Sequence, residues 1–458
     1  MTACLGLFIS ALNTTMTAVA LPQIQQALMA SPTQLQWIID VYLLVVGCLL
    51  LTTGRLGDRY GHGRVYMLGL AIFIAGAFAG SVTDSAVQLI AARGVQAVGA
   101  SVLSTATLSL IAQAFDKRTE RARAIGIWTA AMGLGQIVGP TAGGLLADTF
   151  GWRSIFIASA LVALLALLLC WTVLPKMKAT RAEVSLDIKG QVLTTVVLTA
   201  FLYSLIEGQE WPWSDLVLWL APVAAAVGAA FLLRHSGTTS NALIDVQLFR
   251  RRRFSSPLLL AGLMFFAFNG FQYYNSIYLQ RVLGESASAA GLWMLPSAVA
   301  IAASAPAAGN WCAARGARLP ATTGALLMVG GLMILAFAPE RPPALTLAIS
   351  YIAIGTGLGM ANGPLSMTVM SAAPEERSGS ASSILATSRL IGGALSVAIV
   401  GGTVNIYLKG TSETDSGWSQ ELTAGLHLGY IVVSGTLLCV VLLTRRSIPA
   451  ERADDRKT

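Results

Sequence analysis

Apolar stretches about 20 residues long follow one another along nearly the whole of this 458-residue chain, and few of them contain a charged side chain. A helix of roughly 20 apolar residues crosses the hydrocarbon core of a bilayer, where every backbone polar group must bond within its own segment. The pattern therefore predicts an all-α integral membrane protein. With that ruler, spans fall at 3–22, 33–54, 65–83, 86–112, 122–147, 153–174 and 188–206, then at 215–234, 255–279, 287–312, 319–338, 344–370, 380–405 and 424–444, about fourteen in all. Charged residues are only 11% of the chain, against about a quarter in an ordinary soluble domain, which excludes a string of soluble domains.

The basic residues test this threading independently. Of the 30 lysines and arginines, 24 fall in connections on one side, and Arg153, Arg281, Arg341 and Lys409 fall on the other; Arg93 and Arg389 lie inside spans. An excess of Lys and Arg marks the cytoplasmic side, which places both termini there. The same clustering in short loops accounts for the net charge of +8 without a nucleic-acid partner. Four consecutive arginines at 250–253 read as an anchor on anionic lipid. Cys4, Cys48, Cys170, Cys312 and Cys439 are far apart and in or beside apolar stretches, so they suggest neither a disulfide framework nor a metal site. The first apolar run ends at ALPQIQ without a small-residue cleavage site and reads as a retained helix, not a signal peptide.

An internal repeat joins the second and third spans of each half. The first half reads GRLGDRYGHGR from Gly54, and the second reads GNWCAARGAR from Gly309, a copy that keeps its glycines and basic end but lacks the acid. The chain then divides into a six-helix half at 1–180, an inserted helix pair at 181–240, a second six-helix half at 241–446 and a cytoplasmic tail at 447–458. Repeats of this kind place a substrate site near the midplane, between halves that rock against each other.

Three motifs carry chemistry. Gly54 and Gly57 sit where helices must approach closely, with Asp58, Arg59, Gly61 and Arg64 at the membrane edge; an acid there can bond a helix N-terminus or a basic partner in one state and release it in the other. The plainer reading is a charged loop that only sets topology. In LIAARGVQAVGAS, Arg93 is buried with Gln96 one turn on, and a guanidinium in the membrane must be paired or face water. In GLGQIVGPTAGGLL, Gly135, Gly139 and Gly143 recur at four-residue intervals beside Pro140 and Gly144. Small residues at that spacing let helices touch backbone to backbone, and tight packing is the favoured reading.

These motifs, in this order and on these spans, resemble the signature set of the major facilitator superfamily, and the third resembles the motif of its antiporters. The fourteen-span map resembles the drug:proton antiporter family with an inserted helix pair. Further matches run along the chain: LNTTMTAVALP from Leu12, WIIDVYLL from Trp37, FGWRSIF from Phe150, ALIDVQLFRRRRF from Ala242, YLQRVLG from Tyr278 and SRLIGGALSVA from Ser388. The resemblance implies a secondary transporter that exports drugs or metabolites in exchange for protons, a monomer in the plasma membrane of a bacterium, with no cofactor. One position departs from the family, which places an aspartate where this chain has Asn13, and an amide cannot carry a proton.

Asp40 is then the clearest acid inside a span. Asn13 lies nine residues from the outer end of its span, and Asp40 and Arg93 lie seven from theirs, so at about 1.5 Å per residue the three share a layer about 10–14 Å down. Held by Arg93, Asp40 keeps its charge; facing an apolar wall, it takes up a proton. A permanent contact of Asp40 with Arg93 or with backbone near the outer surface is the alternative. Arg389 lies about nine residues into its span, and with Arg93 it outnumbers the acids of the inner layer, which favours neutral or anionic amphiphiles over dications. Asn13, Gln96 and Arg389 are the candidate cavity residues, with Trp128, Phe265, Phe268, Phe271, Tyr273, Tyr274, Trp293 and Met294 as adaptable apolar lining. There is no G-x-x-x-x-G-K-S/T loop and no metal pair among His62, His235 and His427, so neither ATP hydrolysis nor other catalysis is expected. An uncoupled facilitator is the nearest rival, and a transporter-like sensor a more distant one.

Overall fold

The computed structural model describes residues 2–115, 117–173, 187–207, 216–239, 244, 246–285, 287–374, 377–408 and 417–445. The helices run in order α1 (Thr2–Leu28), α2 (Pro32–Tyr60), α3 (His62–Ser81), α4 (Ala86–Ala114), α5 (Arg118–Phe150), α6 (Arg153–Val173), α7 (Ile188–Glu207), α8 (Leu216–Thr238), α9 (Val246–Arg250), α10 (Arg252–Arg281), α11 (Ala287–Trp293), α12 (Leu295–Arg315), α13 (Arg318–Ala336), α14 (Ala344–Ala372), α15 (Ser378–Leu408) and α16 (Trp418–Arg445). No strand occurs among the described residues. The tail at 447–458, and the boundaries at 180 and 240 expected to flank an inserted pair, lie outside them.

Twelve of these helices are long and apolar enough to cross a membrane, judged among the described residues. The two long helices outside that set are α5 and α7, the latter with a shorter apolar run at Ile188–Phe201. The expectation of fourteen spans therefore goes further than length and composition carry it. Helix ends also overrun the apolar windows. The first expected span stops at Pro22, yet α1 continues through that proline to Leu28; one lost backbone bond does not end a helix whose neighbours hold it. Conversely, the span expected at 287–312 divides into α11 and α12, because Pro296 sits in the first turn of α12, where its missing N–H costs nothing.

Packing sorts the helices into groups. The first six hold one another: α1 packs on α4, α5 and α6, α3 on α4 and α6, and α2 on α4. In the second group α10 packs on α14, α15 and α16, α13 on α14 and α16, and α12 on α14. Between the groups α5 meets α12 and α14, while α15 meets α2 and α4; α7 and α8 pair with each other, with α7 against α2 and α15. The repeat is visible in the backbone. Gly61, between α2 and α3, has φ +92°, and Gly316, between α12 and α13, has φ +78°, a region that glycine enters without steric cost. They occupy the same place in the two copies, seven residues after Gly54 and Gly309.

The glycines of α5 show why that helix serves both groups. A Cβ at Gly135 would sit 2.7 Å from the Phe8 carbonyl of α1, one at Gly139 3.1 Å from the Leu12 carbonyl, and one at Gly143 2.8 Å from the Met16 Cα. Gly126 and Gly133 make the same close approach to α12, at Ala305 and Ile301. Gly144 points elsewhere, with Val19 the nearest neighbour at 3.7 Å. Gly135→Ala is expected to force α1 and α5 apart and to cost about 1–3 kcal/mol, read as a lower thermal midpoint of the detergent-purified protein. Gly144→Ala should leave that midpoint where it is.

Candidate functional site

The last turn of α2 carries Asp58 into the N-terminus of α15. Its Oδ1 accepts from the Gly379 N–H at 2.7 Å, and its Oδ2 accepts from the Ser380 N–H at 3.0 Å and the Ser380 hydroxyl at 3.2 Å. The first amides of a helix have no partner inside it and carry its positive dipole end, so a carboxylate there is a charged cap supplied by the other helix group. Gly54 makes the approach possible, since a Cβ on it would stand 2.3 Å from the Gly379 carbonyl. Gly57 makes room for His62, whose Nε2 lies 3.2 Å from Asp58 Oδ1 and 3.3 Å from the Ser378 hydroxyl. Asp58 and His62 are both buried. Arg59 lies over the Tyr60 ring, and Arg64 is exposed. His62 had no role in the sequence reading; its i+4 spacing from Asp58 was the available signal.

A seam of small polar side chains continues the contact inward. Ser382 of α15 donates to the Thr105 carbonyl of α4 at 2.7 Å, and Ser109 donates to Ser382 at 3.3 Å. This end of the molecule is sealed between the groups. At the equivalent place in the second copy, Ala313 stands where the first has Asp58, and Gly309 meets the Ala122 carbonyl of α5 with no carboxylate.

Deeper in the first group, Arg93 of α4 is fully buried. It donates to the Ile38 carbonyl at 3.2 Å, to Gln96 Oε1 at 2.8 Å and to Asn13 Oδ1, with its guanidinium 4.3 Å from the Tyr42 ring centroid. Asn13 also donates, from Nδ2 to the Ser159 hydroxyl at 3.1 Å. One amide thus accepts from an arginine and donates to a serine, a double task that an ionised aspartate cannot perform. Asp40 is half-buried one helix over. The bonds that fix Arg93 in this conformation run to Asn13, Gln96 and the Ile38 carbonyl.

Arg389 of α15 lies between the groups. It donates to the Ser366 hydroxyl at 2.5 Å, and its guanidinium sits 5.2 Å from the Phe265 ring centroid and 5.6 Å from that of Trp128. Trp128 belongs to α5 and is itself fixed by donation to Thr107 at 3.1 Å. The Arg389 Nε is buried without a hydrogen-bond partner among the described residues. Of the other aromatic candidates, Phe268, Phe271 and Tyr274 are buried in the packing of α10 and Tyr273 is exposed. The side chain of Pro140 lies outside what the structure describes.

Replacing Asp58 with Asn keeps the shape of the cap but removes its charge, and charge-assisted bonds exceed neutral ones by about 1–2 kcal/mol. Asp58→Asn is expected to open the sealed end roughly ten-fold more often. A cysteine introduced at Ser109 should then react correspondingly faster with an impermeant maleimide in inverted vesicles; an unchanged rate would show that the cap does not hold this end shut.

The sequence pattern of the Major Facilitator Superfamily matches residues 3–397. The chain is 34% identical over 409 residues to "Multidrug resistance protein Stp" of Mycobacterium tuberculosis (strain CDC 1551 / Oshkosh), covering 89% of this chain and 76% of that protein. It is 31% identical to the "Tetracenomycin C resistance and export protein" of Streptomyces glaucescens, over 86% of this chain and 73% of that one. Its fold superposes on the human organic anion transporter MFSD10 with a TM-score of 0.70 at 16% identity, over 96% and 97% of the two chains. Family pattern, relatives and fold agree, and the chain belongs to the Major Facilitator Superfamily.

Proposed function

We propose that this transporter exports small amphiphilic organic molecules in exchange for protons across a bacterial inner membrane. The observation that carries the reading is the Asp58 cap on α15, a charged contact between the two helix groups whose making and breaking decides whether one end of the molecule is shut. The names of the relatives, multidrug resistance in one and resistance and export in the other, support the outward direction.

On this reading α5 and α7 cross the bilayer with the other twelve helices, the halves are 1–180 and 241–446, and the pair α7 and α8 is inserted between them. Both termini, and the Asp58 end, are cytoplasmic. The substrate lies between the groups at Arg389, whose guanidinium stands near Trp128 from one group and Phe265 from the other and whose Nε has no hydrogen-bond partner among the described residues. A fixed cation between two aromatic faces suits a neutral or anionic flat molecule and repels a dication. Gln96 and Asn13 belong instead to the Arg93 cluster inside the first group. Asp40 takes up a proton from outside as substrate leaves and gives it up when the Asp58 cap opens inward.

The rival is a facilitator that moves its solute downhill, and what favours it is Asn13, an amide already committed to Arg93 and Ser159. Proteoliposomes loaded with tetracenomycin C separate the two. The antiporter should concentrate it several-fold when a pH step is imposed, and Asp40→Asn should abolish that accumulation while leaving downhill exchange. Equilibration without accumulation by the unsubstituted protein would favour the facilitator.

A further inference from the structure

At the end of the second helix group opposite the Asp58 cap, the ends of α10, α13, α14 and α16 border a small, partly open pocket of about 20 Å³, room for a single water. Its polar lining is Asn275 and Tyr278 of α10 and Thr423, His427 and Tyr430 of α16, and Pro339 and Pro342 of the α13–α14 connection close its rim. Two features set it apart from ordinary packing. Asn275 is 1% exposed, its Oδ1 accepts from the Tyr351 hydroxyl at 2.9 Å, and its Nδ2 donates to nothing among the described residues. A buried amide N–H left empty costs about 1–3 kcal/mol, so it implies a partner in the pocket. His427, half-buried on the facing helix, likewise makes no hydrogen bond among the described residues. A ring nitrogen of His427 is therefore open to water at the pocket.

We propose that this pocket is a hydrated proton site, in which water held by the Asn275 amide delivers a proton to the His427 imidazole. Water that accepts from Asn275 Nδ2 keeps both hydrogens free to donate, and it fits a polar cavity with several partners. In the step itself a hydrated proton forms an N–H bond with the unprotonated ring nitrogen, leaving water behind and an imidazolium on α16.

The groups that face that charge are few. Tyr278 and Tyr351 stand on α10 and α14, Tyr430 on α16 itself, and Tyr278 donates to the Glu340 carbonyl at 2.7 Å, which puts Glu340 and Arg341 at the rim. Glu421 lies near the start of α16. The α13 face contributes Leu335 and Ala338. From α15 come Val400, Thr403 and Val404, packed on Gly425 and Gly429 of α16. An imidazolium so placed has phenol and water for company and no carboxylate in its lining, so protonation favours wetting and opening of this end. Because α16 is packed by glycines on α15, and α15 carries the amides that Asp58 caps, the same helix touches both the wall of the pocket and the contact at the other end.

The inference rests on the proton-exchange reading above and gives it a second titrating group in the half that lacks Asp40. The chain has three histidines, so ring-labelled histidine in protein reconstituted in nanodiscs yields three signals, with His427→Gln identifying one. The His427 signal is expected to titrate between pH 5 and 8, and Asn275→Leu, which removes the water's anchor, should shift its midpoint. A His427 signal that does not move across that range overturns the proposal, as does a midpoint unchanged in Asn275→Leu. In proteoliposomes His427→Gln should cut pH-driven accumulation of tetracenomycin C several-fold with downhill exchange intact. Accumulation equal to that of the unsubstituted protein overturns the coupling role. Absence of accumulation in the unsubstituted protein would instead overturn proton exchange itself, leaving the titration to judge the pocket.

Discussion

A carboxylate set on the open end of a helix holds this molecule in the conformation described. Asp58 meets two backbone N–H groups and a hydroxyl of α15, which have no other partner among the described residues. Burial strengthens the attraction by excluding water, and it also makes an unmet carboxylate costly. Such a contact ties the two helix groups together at this end. The second copy of the repeat keeps the glycine that lets α12 touch α5 but has Ala313 in place of the acid. Two junctions related by the repeat therefore share a shape, and one of them carries the charge.

Lipid offers no hydrophobic drive between helices, so the rest of the architecture depends on close contact and on satisfied polar groups. Gly135, Gly139 and Gly143 put α5 against α1, while Gly126 and Gly133 put the same helix against α12. A buried arginine is tolerated on the same terms. Arg93 spends its donors on Ile38, Gln96 and Asn13 and lies on the Tyr42 ring, tying α4 to α1 and α2. Asn13 suits this place because it both accepts and donates. The loss of a titratable group there is the chemical counterpart of a gain in fixed structure.

The charges inside the bundle are laid out unevenly. Arg93 is enclosed and fully engaged on three sides, whereas Arg389 lies between the groups with an unused donor and aromatic rings from both. The first reads as structure and the second as a place for a ligand. At the far end of α16, His427 and the Asn275 amide face a small pocket with unfilled hydrogen-bonding capacity. Latch, cation and pocket thus stand at three heights along α15 and its neighbours.

The sequence by itself made the long apolar helices legible, twelve of the expected fourteen among the described residues, because apolar length against bilayer thickness is a local quantity that each segment satisfies alone. It also made Asp58 legible as an acid poised to bond a helix end, since glycines at fixed offsets announce a close approach. Which helix it would meet, and that His62 would join it, required the tertiary structure. The same limit explains Arg93. Residue rise fixes a side chain's height along its own helix but not its azimuth, so Asn13, Asp40 and Arg93 looked alike in depth, and only the packed bundle turned Arg93 toward Asn13. The height itself shifted when α1 ran on through Pro22 to Leu28. Tilt, rotation and overrun are set by the sum of all neighbours at once, and no single segment of sequence carries that sum.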